Sequence, residues 1–455
     1  MGKRRTIKFI DLFAGLGGIR LGLEQAFEES LYNTKCVLTS EIKPYSIQTL
    51  EHNFEDHSFS GDLFEVETKS IEDFDFLLGG FPCQPFSAGG RRKGFLDTRG
   101  TLFFEIERIL KSKKPYGFIL ENVEGLVKHD LENPKDKIGR TLKTILYKLE
   151  KELGYKVSWK VLDSVNFGLA QSRKRVFIVG TKNQEIDLEF KPYDFKVLKD
   201  ILESGKEVMQ SEMVSKLLNH FEIEELYGKS IKDKRGGSNN IHSWDIGLKG
   251  EISEEQNILL NKLFKERRRK HWAEKIGIKW MDGMALTLKQ IGTFHNSNLF
   301  SDSSNLESLL DDLVSKGYLK YEHPKKLIWE KTENGEISKR VYDTSKPKGY
   351  NIVTGKLSFE INKILNPNDI APTLVATDVS RLVVPDGNGL RRLTIREGLR
   401  LFGYPESYEI PVKTSEAFDL LGNTVAVPVV RAIAERLAVA YEAQNQVRSS
   451  PVAAL

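Results

Sequence analysis

The sequence is poor in cysteine: Cys36 and Cys83 lie far apart, and neither has a histidine or cysteine neighbour at metal-ligand spacing. This argues against a disulfide framework and a structural zinc site, and it favours a reducing, cytoplasmic setting. Long apolar runs are lacking as well, since no stretch of about 18 uncharged apolar residues occurs. Lys8 and Asp11 soon interrupt the basic start of the chain, so we predict neither a secretion signal nor a membrane span.

A strong excess of one charge is also missing, because 68 basic residues stand against 64 acidic ones and the formal net charge is only +4. This balance does not exclude a nucleic-acid partner, since a local basic cleft can exist within it. A length of 455 residues with 40% hydrophobic residues is sufficient for one large core and a second, smaller one. We therefore expect two domains.

The first 180 residues alternate short apolar runs with amphipathic stretches, the pattern of a mostly parallel sheet with helices on both faces. The predicted strands are Ile7–Phe13, Cys36–Glu41, Phe74–Leu78, Phe118–Leu120, Val157–Leu162 and Val176–Val179. Helices are predicted at Leu102–Leu110 and Leu142–Leu153. The predicted fold class is α/β and doubly wound, an architecture that binds ligands at the carboxyl ends of its strands.

The alternation fades after about residue 185, and helical patterns return after Arg391. We predict that residues 1–184 and 386–455 form the first domain and that residues 185–385 form a smaller, mixed one. The chain is expected to fray from Gln444 onward.

Two patterns in the second domain have alternative interpretations. Ser304 and Glu307 form a capping box before an amphipathic stretch that ends at Gly317, and a strand follows. This unit could belong to a winged helix, but an ordinary packed helix is favoured. The charge run Arg267–Lys270 is either a solvated helix face or a phosphate-binding cluster.

The first predicted strand leads into the glycine-rich turn Ala14–Gly18. This turn has neither the GxGxxG spacing of dinucleotide sites nor the Gly-Lys-Ser/Thr of a phosphate-binding loop, so pyrophosphate and triphosphate ligands are disfavoured. Glu41 ends the second predicted strand, where an acidic side chain can accept both ribose hydroxyls of an adenosine. The alternative for Glu41 is a solvated strand end.

Cys83 lies between Pro82 and Pro85 on a segment that follows the third predicted strand. A cysteine held between two prolines at the carboxyl end of a sheet is stiffly placed and accessible, which favours a nucleophile over a buried structural cysteine. Residues Gly89–Gly94 then combine glycine hinges with three cations that could hold phosphates.

Several motifs in a fixed order resemble those of the DNA cytosine-5 methyltransferases, in particular the bacterial restriction-modification type. The motifs are Asp11–Gly18, Gly79–Ser87, Asp97–Thr101, Glu121–Val123, Gln171–Arg175, Arg391–Thr394, Phe402–Pro405 and Gly422–Val425. The polar region between Gly180 and Arg391 stands where the family carries its target-recognition region, and Thr373-Leu374 resembles the dipeptide near the end of that region. The resemblance implies the fold of the S-adenosylmethionine-dependent methyltransferases.

The resemblance also implies the reaction. A methyl group would pass from S-adenosylmethionine to carbon 5 of a flipped-out cytosine in a specific duplex DNA sequence, through a covalent cysteine intermediate and without a metal. Cys83 would be the nucleophile, Glu121 would act on ring N3, and Arg175 would reach the cytosine O2. Arg173 would fix Glu121 or a phosphate. The residues implied to bind DNA are Gln84, Ser87, Arg91, Arg92 and Lys93.

For S-adenosylmethionine, the resemblance implies contacts from Phe13, Gly15, Gly17, Glu41, Asp62, Asn423 and Val425. Glu41 would hold the ribose and Asp62 the adenine amino group. Many relatives have a tryptophan after the ribose acid, but this chain has Ile42, so adenine would rest on an aliphatic surface. The resemblance further implies the modification enzyme of a restriction-modification system, with double-stranded DNA as its partner. We expect a monomer without an obligate protein partner.

Two alternatives remain open. One branch of the family methylates transfer RNA, but its members lack a large recognition insert, whereas a long insert separates the motifs of this chain. The other alternative is a non-catalytic DNA-binding relative, which the joint presence of Cys83, Glu121 and Arg175 opposes.

Overall fold

The computed structural model of the protein describes residues 4–30, 32–55, 58–81, 101–234, 236–279, 283–295, 305–332, 335–354 and 359–449. The chain divides into two compact units. Unit 1 comprises Met1–Ser204, Asn366–Ser380 and Leu393–Leu455, and unit 2 comprises Gly205–Leu365 and Arg381–Arg392.

These boundaries differ from the predicted ones at residues 184 and 385, because the segment after residue 184 packs on unit 1. Ile186 and Leu188 are buried in its core. Farther along, the backbone N–H of Leu198 donates to the carbonyl of Asp369 at 3.0 Å, which joins two stretches of unit 1 that are distant in sequence.

Unit 1 contains a seven-stranded sheet with the order β3-β2-β1-β4-β5-β7-β6. Its strands are β1 Thr6–Leu12, β2 Asn33–Ser40, β3 Phe59–Ser60, β4 Phe76–Gly80, β5 Gly117–Val123, β6 Lys156–Asp163 and β7 Lys174–Thr181. All neighbours pair in parallel except that β7 is antiparallel to both β5 and β6. Because β1 lies between β2 and β4, the strand order reverses there, and this is where such sheets bind ligands.

Helices cover both faces of this sheet. The helices of unit 1 are α1 Gly18–Glu29, α2 Pro44–Asn53, α3 Thr101–Lys113, α4 Arg140–Tyr147, α10 Ile395–Leu401, α11 Thr414–Asn423 and α12 Val427–Ser449. One buried cluster joins the sheet to α1 and α12, and another joins it to α3 and α4. The predicted doubly wound α/β class is therefore confirmed, and each predicted strand overlaps an observed one.

Two predicted helix ends need correction. The α4 helix ends at Tyr147 and continues as a π-helical turn, Lys148–Glu152. The α12 helix continues through Gln444 to Ser449, so the expected fraying from Gln444 is wrong as far as Ser449; later residues lie outside the described ranges. Among the described residues, no single helix meets the length and hydropathy of a membrane span; α11 and α12 meet them only together, as a pair bent by 43°.

Unit 2 is built from short elements around two buried clusters. Its helices are α5 Glu212–His220, α6 Glu254–Glu266, α7 Lys270–Ile276, α8 Leu288–Gly292 and α9 Leu306–Ser315. Its strands are β8 Ser230–Ile231, β9 Asn240–Ile241, β10 Leu319–Glu322, β11 Lys325–Thr332, β12 Gly335–Tyr342, β13 Gly349–Ile352, β14 Lys363–Ile364, β15 Leu382–Asp386 and β16 Gly389–Arg392. A five-stranded sheet has the order β16-β15-β14-β8-β9.

Part of unit 2 has the element order of a winged helix. Leu286 pairs with Tyr350 of β13, and β13 pairs with β10, while α8 and α9 lie between Leu286 and β10 in the chain. The β11–β12 hairpin is the wing between β10 and β13. The packed-helix interpretation of α9 was therefore incomplete, because the strands that complete the unit lie far along the chain. Asn305, without a side-chain cap bond, precedes α9; Ser304 lies outside the described residues.

Candidate active site

The predicted cofactor turn follows β1 directly. Phe13 and Gly15 both have left-handed backbone conformations, with φ angles of 58° and 55°. Such a φ is unfavourable for an aromatic residue, and strain of this kind tends to occur at ligand sites. Gly17 also has a positive φ, and a Cβ there would lie 2.7 Å from the ring of Phe54, so this glycine also allows close packing at the start of α1.

Glu41 is not a solvated strand end, because its carboxylate fixes the turn. The Oε2 atom accepts a hydrogen bond from the backbone N–H of Gly15 at 2.9 Å. The Oε1 atom accepts from the N–H groups of Ile42 and Lys43 at 2.8 and 2.9 Å. A carboxylate oxygen can accept two hydrogen bonds, so with the donors in the described part of the chain Oε2 keeps one acceptor position and Oε1 keeps none.

Asp62 lies near Glu41 because β2 and β3 are paired, with Ser40 opposite Ser60. Asp62 is exposed, and its Oδ1 accepts from the N–H of Phe64 at 3.0 Å. The side chains of Ile42 and Phe64 are 71% and 50% exposed. This end of the sheet thus presents an exposed carboxylate and two exposed apolar side chains. The sequence interpretation missed Phe64, whose only signal was an aromatic residue near Asp62.

The third part of the predicted cofactor site comes from the end of α11. Asn423 donates to the carbonyl of Asp419 at 2.8 Å, and Asp419 accepts from Lys43 Nζ at 2.6 Å. This contact joins the end of α11 to the segment after Glu41. Val425 is buried, and a Cβ on Gly18 would lie 2.8 Å from its Cγ1, so Val425 packs at the first residue of α1.

Asp11, at the end of β1, is a buried acid that the sequence interpretation used only as part of a motif. Its side chain is 1% exposed, and neither carboxylate oxygen has a hydrogen-bond partner among the described residues. Burial raises the pKa of Asp11 to about 7, and the nearby Arg20 opposes this shift while Glu24 and Glu41 add to it. A buried polar group without a partner is typical of a site that is completed by a ligand or water.

We expect Asp11→Asn to remove a pH dependence of stability. Between pH 4 and about 7 the folded protein binds a proton that the unfolded chain has lost, so the free energy of unfolding falls as pH rises. The asparagine variant cannot show this loss. Its stability relative to wild type should rise through this pH range by up to roughly 4 kcal/mol and level off above it.

Urea unfolding of the wild type and Asp11→Asn at pH 4 to 8 measures this difference. Asp62→Asn is the matched control, since the exposed Asp62 carboxylate caps a turn that asparagine also caps. A constant difference between wild type and Asp11→Asn across the pH range would contradict the prediction.

Glu121 and Arg175 form the ionic centre of the site. Glu121 lies on β5 beside Gly80, and Arg175 lies diagonally across the β5–β7 ladder, opposite Val123. Arg175 Nε is 3.0 Å from Glu121 Oε1, and the two side chains are 14% and 15% exposed. Burial raises the pKa of Glu121 although Arg175 and Arg173 lower it. A carboxyl whose pKa is raised in a sheet-end site can hold a proton for transfer.

The sequence suggested that Arg173 fixes Glu121 or a phosphate, but the residue that contacts Glu121 is Arg175. The buried Arg173 guanidinium donates to the carbonyls of Leu374 and Gly422 at 2.8 and 3.2 Å. Burial, with a smaller effect of Arg175, lowers the pKa of Arg173 to about 9, so it stays charged at neutral pH. Arg173 thereby connects the start of β7 to Leu374 and to Gly422 in the last turn of α11. It is a positioning residue and not a phosphate contact.

The chain leaves β4 beside Glu121. Phe81 is the last described residue before residue 101, and its carbonyl accepts from Asn122 Nδ2 at 3.0 Å. The Phe81 ring packs on Phe103, with the ring centroids 6.0 Å apart. The predicted site residues Cys83, Gln84, Ser87, Arg91, Arg92 and Lys93 lie outside the described residues.

The charge run Arg267–Lys270 was interpreted as a solvated helix face or a phosphate-binding cluster, and Arg267 fits neither because it is buried. Arg267 is 3% exposed, and its Nη1 donates to Asn351 Oδ1 at 3.0 Å. Arg268 lies over the ring of Phe264 at 4.4 Å, and Arg269 is paired with Glu266 at 3.1 Å. Arg267 thus anchors the end of α6 inside unit 2, so its removal would destabilise the unit, whereas the Arg269 side chain is 62% exposed.

Known proteins resemble this chain over most of its length. The profile of the family described as C-5 cytosine-specific DNA methylase matches residues 7–438. The chain is 57% identical to the Type II methyltransferase M.NlaIV of Neisseria lactamica over 95% of this chain and 99% of that protein. It is 40% identical to M.BanI of Aneurinibacillus aneurinilyticus over 95% of each protein. The Entamoeba histolytica methyltransferase EhMeth, at 12% identity, has a similar fold, with a TM-score of 0.53 over 97% of this chain and 99% of that one.

The chain belongs to the C-5 cytosine-specific DNA methylases. It is a DNA (cytosine-5-)-methyltransferase of the kind found in type II restriction-modification systems, and it binds DNA as its substrate. The transfer RNA alternative and the non-catalytic alternative are both set aside by this assignment.

Proposed function

We propose that this enzyme methylates carbon 5 of a flipped-out cytosine in one short duplex DNA sequence through a covalent bond to Cys83, with S-adenosylmethionine as donor. The observation that carries the proposal is the Glu121–Arg175 pair beside Phe81, two residues before Cys83 in the chain. Carbon 5 of cytosine is a poor nucleophile until a thiolate adds to carbon 6. That addition pushes electrons toward ring N3, where a protonated Glu121 would donate its proton.

The roles of the other residues follow from their contacts. Arg175 holds the Glu121 carboxyl through Nε, its Nη1 donates to the Lys174 carbonyl at 2.8 Å, and a remaining N–H would donate to the cytosine O2. Once carbon 5 carries the methyl group, its proton is lost to solvent, the electrons of that C–H bond re-form the double bond between carbons 5 and 6, and Cys83 leaves as a thiolate. Carbon 6 is inaccessible inside the base stack, so the base must leave the duplex. Gln84, Ser87 and the Arg91–Lys93 cations are proposed to hold the opened backbone.

The residues at the carboxyl ends of β1 to β3 suit S-adenosylmethionine, which supplies an electrophilic methyl group. The free acceptor position of Glu41 Oε2 would take a ribose hydroxyl, and the exposed Asp62 would take the adenine amino group. Ile42 and Phe64 offer the apolar surface for the ring. Phe13, Gly15, Asn423 and Val425 would line the rest of the site. The unpartnered Asp11 carboxylate supports a polar ligand or water at this end of β1.

We propose unit 2, which corresponds to most of residues 185–385, as the target-recognition domain, and a restriction-modification system as the biological setting. The named Type II methyltransferase relatives support the second point. The test is to express the enzyme in cells without cytosine methylation and to sequence their DNA by a chemistry that reports 5-methylcytosine. One cytosine within one recurring short sequence should be methylated. Absence of methylation above a Cys83→Ser control would overturn the proposal.

A further inference from the structure

The wing of unit 2 is a two-stranded ribbon, β11 and β12, that forms a sheet of its own. Its base is fixed, because the Asp343 N–H donates to the Pro324 carbonyl at 2.8 Å and the Tyr342 hydroxyl donates to Glu322 Oε2 at 2.8 Å. Beyond this base, Trp329 is 64% exposed. A ribbon of this kind has no hydrophobic core of its own, so a large exposed aromatic residue on it indicates a binding surface.

The two faces of the ribbon differ in how their cations are compensated. One face carries Lys326, which lies 3.3 Å from Asp343, and Lys339, which lies 3.5 Å from Glu330. We name this the paired face.

The opposite face carries Lys325, Leu327 and Trp329 from β11, with Ser338, Arg340 and Tyr342 directly across from them on β12. Lys325 lies over the Tyr342 ring at 5.1 Å, and among the described side chains neither Lys325 nor Arg340 forms an ion pair. We name this the open face. Uncompensated cations beside exposed aromatic rings are the side chains that bind phosphates and contact bases.

The α9 helix is unsuited to DNA, although the second helix is the usual reader in helix-turn-helix domains. Its Glu307 and Asp311 are exposed, and Asp312 is partly exposed. Asp312 is paired with Lys316 at 2.6 Å, but Glu307 and Asp311 form no ion pair with a described residue and would repel a phosphate backbone, so the charge of the wing suits DNA better than that of α9.

We propose that the open face of the β11–β12 ribbon binds duplex DNA, with Lys325 and Arg340 on phosphates and Trp329 against a groove surface. A two-stranded ribbon fits the major groove, which is about 12 Å wide. The inference rests on the proposed function of unit 2 in recognition. It names the ribbon as the contact element, in place of the Arg267–Lys270 run.

The test compares two double variants of the full-length enzyme. The open-face variant is Lys325→Gln with Arg340→Gln, and the paired-face variant is Lys326→Gln with Lys339→Gln. Both remove two positive charges from the same ribbon, so a general change in charge affects both equally. Binding is measured over a salt series on a duplex that contains the sequence methylated by the wild type and on an unrelated duplex.

The open-face variant should bind both duplexes more weakly. The slope of log affinity against log salt should fall in magnitude by about 1.8, since each lost phosphate contact on duplex DNA contributes about 0.9. The paired-face variant should keep the wild-type slope. Trp329→Ala should lower affinity without changing the slope, because the indole carries no charge.

Equal slopes for the open-face variant, the paired-face variant and the wild type would overturn the proposal. Self-association of the wild type that Trp329→Ala abolishes, with unchanged DNA binding, would also overturn it and assign the face to a second copy of the chain. The rate of methyl transfer at saturating DNA separates this inference from the proposed function. A wild type that methylates no DNA contradicts the proposed function. Equal slopes of log affinity against log salt, with an active wild type, contradict only the proposal that the ribbon binds DNA.

Discussion

Cys83→Ser is expected to abolish methyl transfer, with a loss of about 10³-fold or more, while binding of S-adenosylmethionine stays nearly unchanged. The serine hydroxyl is close in size to the thiol but is not ionised at neutral pH, so addition to carbon 6 does not occur. The variant should also fail to form a denaturation-resistant adduct with DNA that carries 5-fluorocytosine at the target position. The wild type should form it, because fluorine cannot leave as a proton does and the cysteine then stays attached.

Cys36→Ala is the matched control for this prediction. Cys36 is buried in β2, and its thiol lies 3.3 Å from the carbonyl of Leu38 and from the Thr39 hydroxyl. Its replacement should cost about 1 kcal/mol of stability and leave the rate intact. A Cys83→Ser enzyme that methylates DNA at nearly the wild-type rate would show that Cys83 is not the nucleophile.

The fold of unit 1 could be predicted because short, nearly continuous apolar runs and amphipathic helical stretches alternate there with little interruption. The turn after β1 could also be predicted, because its glycines indicate the tight turn that the structure shows at Phe13 and Gly15. Unit 2 could not be predicted in the same way, because most of its strands are short. The pairing of Leu286 with Tyr350 joins residues 64 positions apart, which no local pattern reveals.

Within the site, the sequence identified residue types correctly but not their partners. Arg173 and Arg175 have the same parity, so strand alternation places both toward one face and does not decide which contacts Glu121. Arg173 does not reach Glu121 because its guanidinium donates to the carbonyls of Leu374 and Gly422. These two residues lie 201 and 249 positions farther along the chain. Arg267 shows the same limit, because its polar partner Asn351 is 84 residues away.

Glu121→Gln is expected to lower kcat by roughly 10²- to 10⁴-fold with little change in the KM for DNA. Glutamine can still accept the hydrogen bond from Arg175 Nε and can donate one to cytosine N3, but it cannot transfer a proton. The size of the loss therefore separates proton transfer from hydrogen bonding. Because burial raises the pKa of Glu121, the protonated acid persists to a higher pH than usual, and wild-type kcat should fall as pH rises through that pKa.

Glu124→Gln is the control for this last prediction, since Glu124 lies three residues farther along on an exposed turn. It should have wild-type kcat and wild-type stability. The alkaline decline of kcat that the wild type and Glu124→Gln share should be missing from Glu121→Gln, because glutamine does not titrate. If Glu121→Gln loses less than about tenfold in kcat and keeps the alkaline decline, hydrogen bonding at N3 is sufficient and another group must titrate in that pH range.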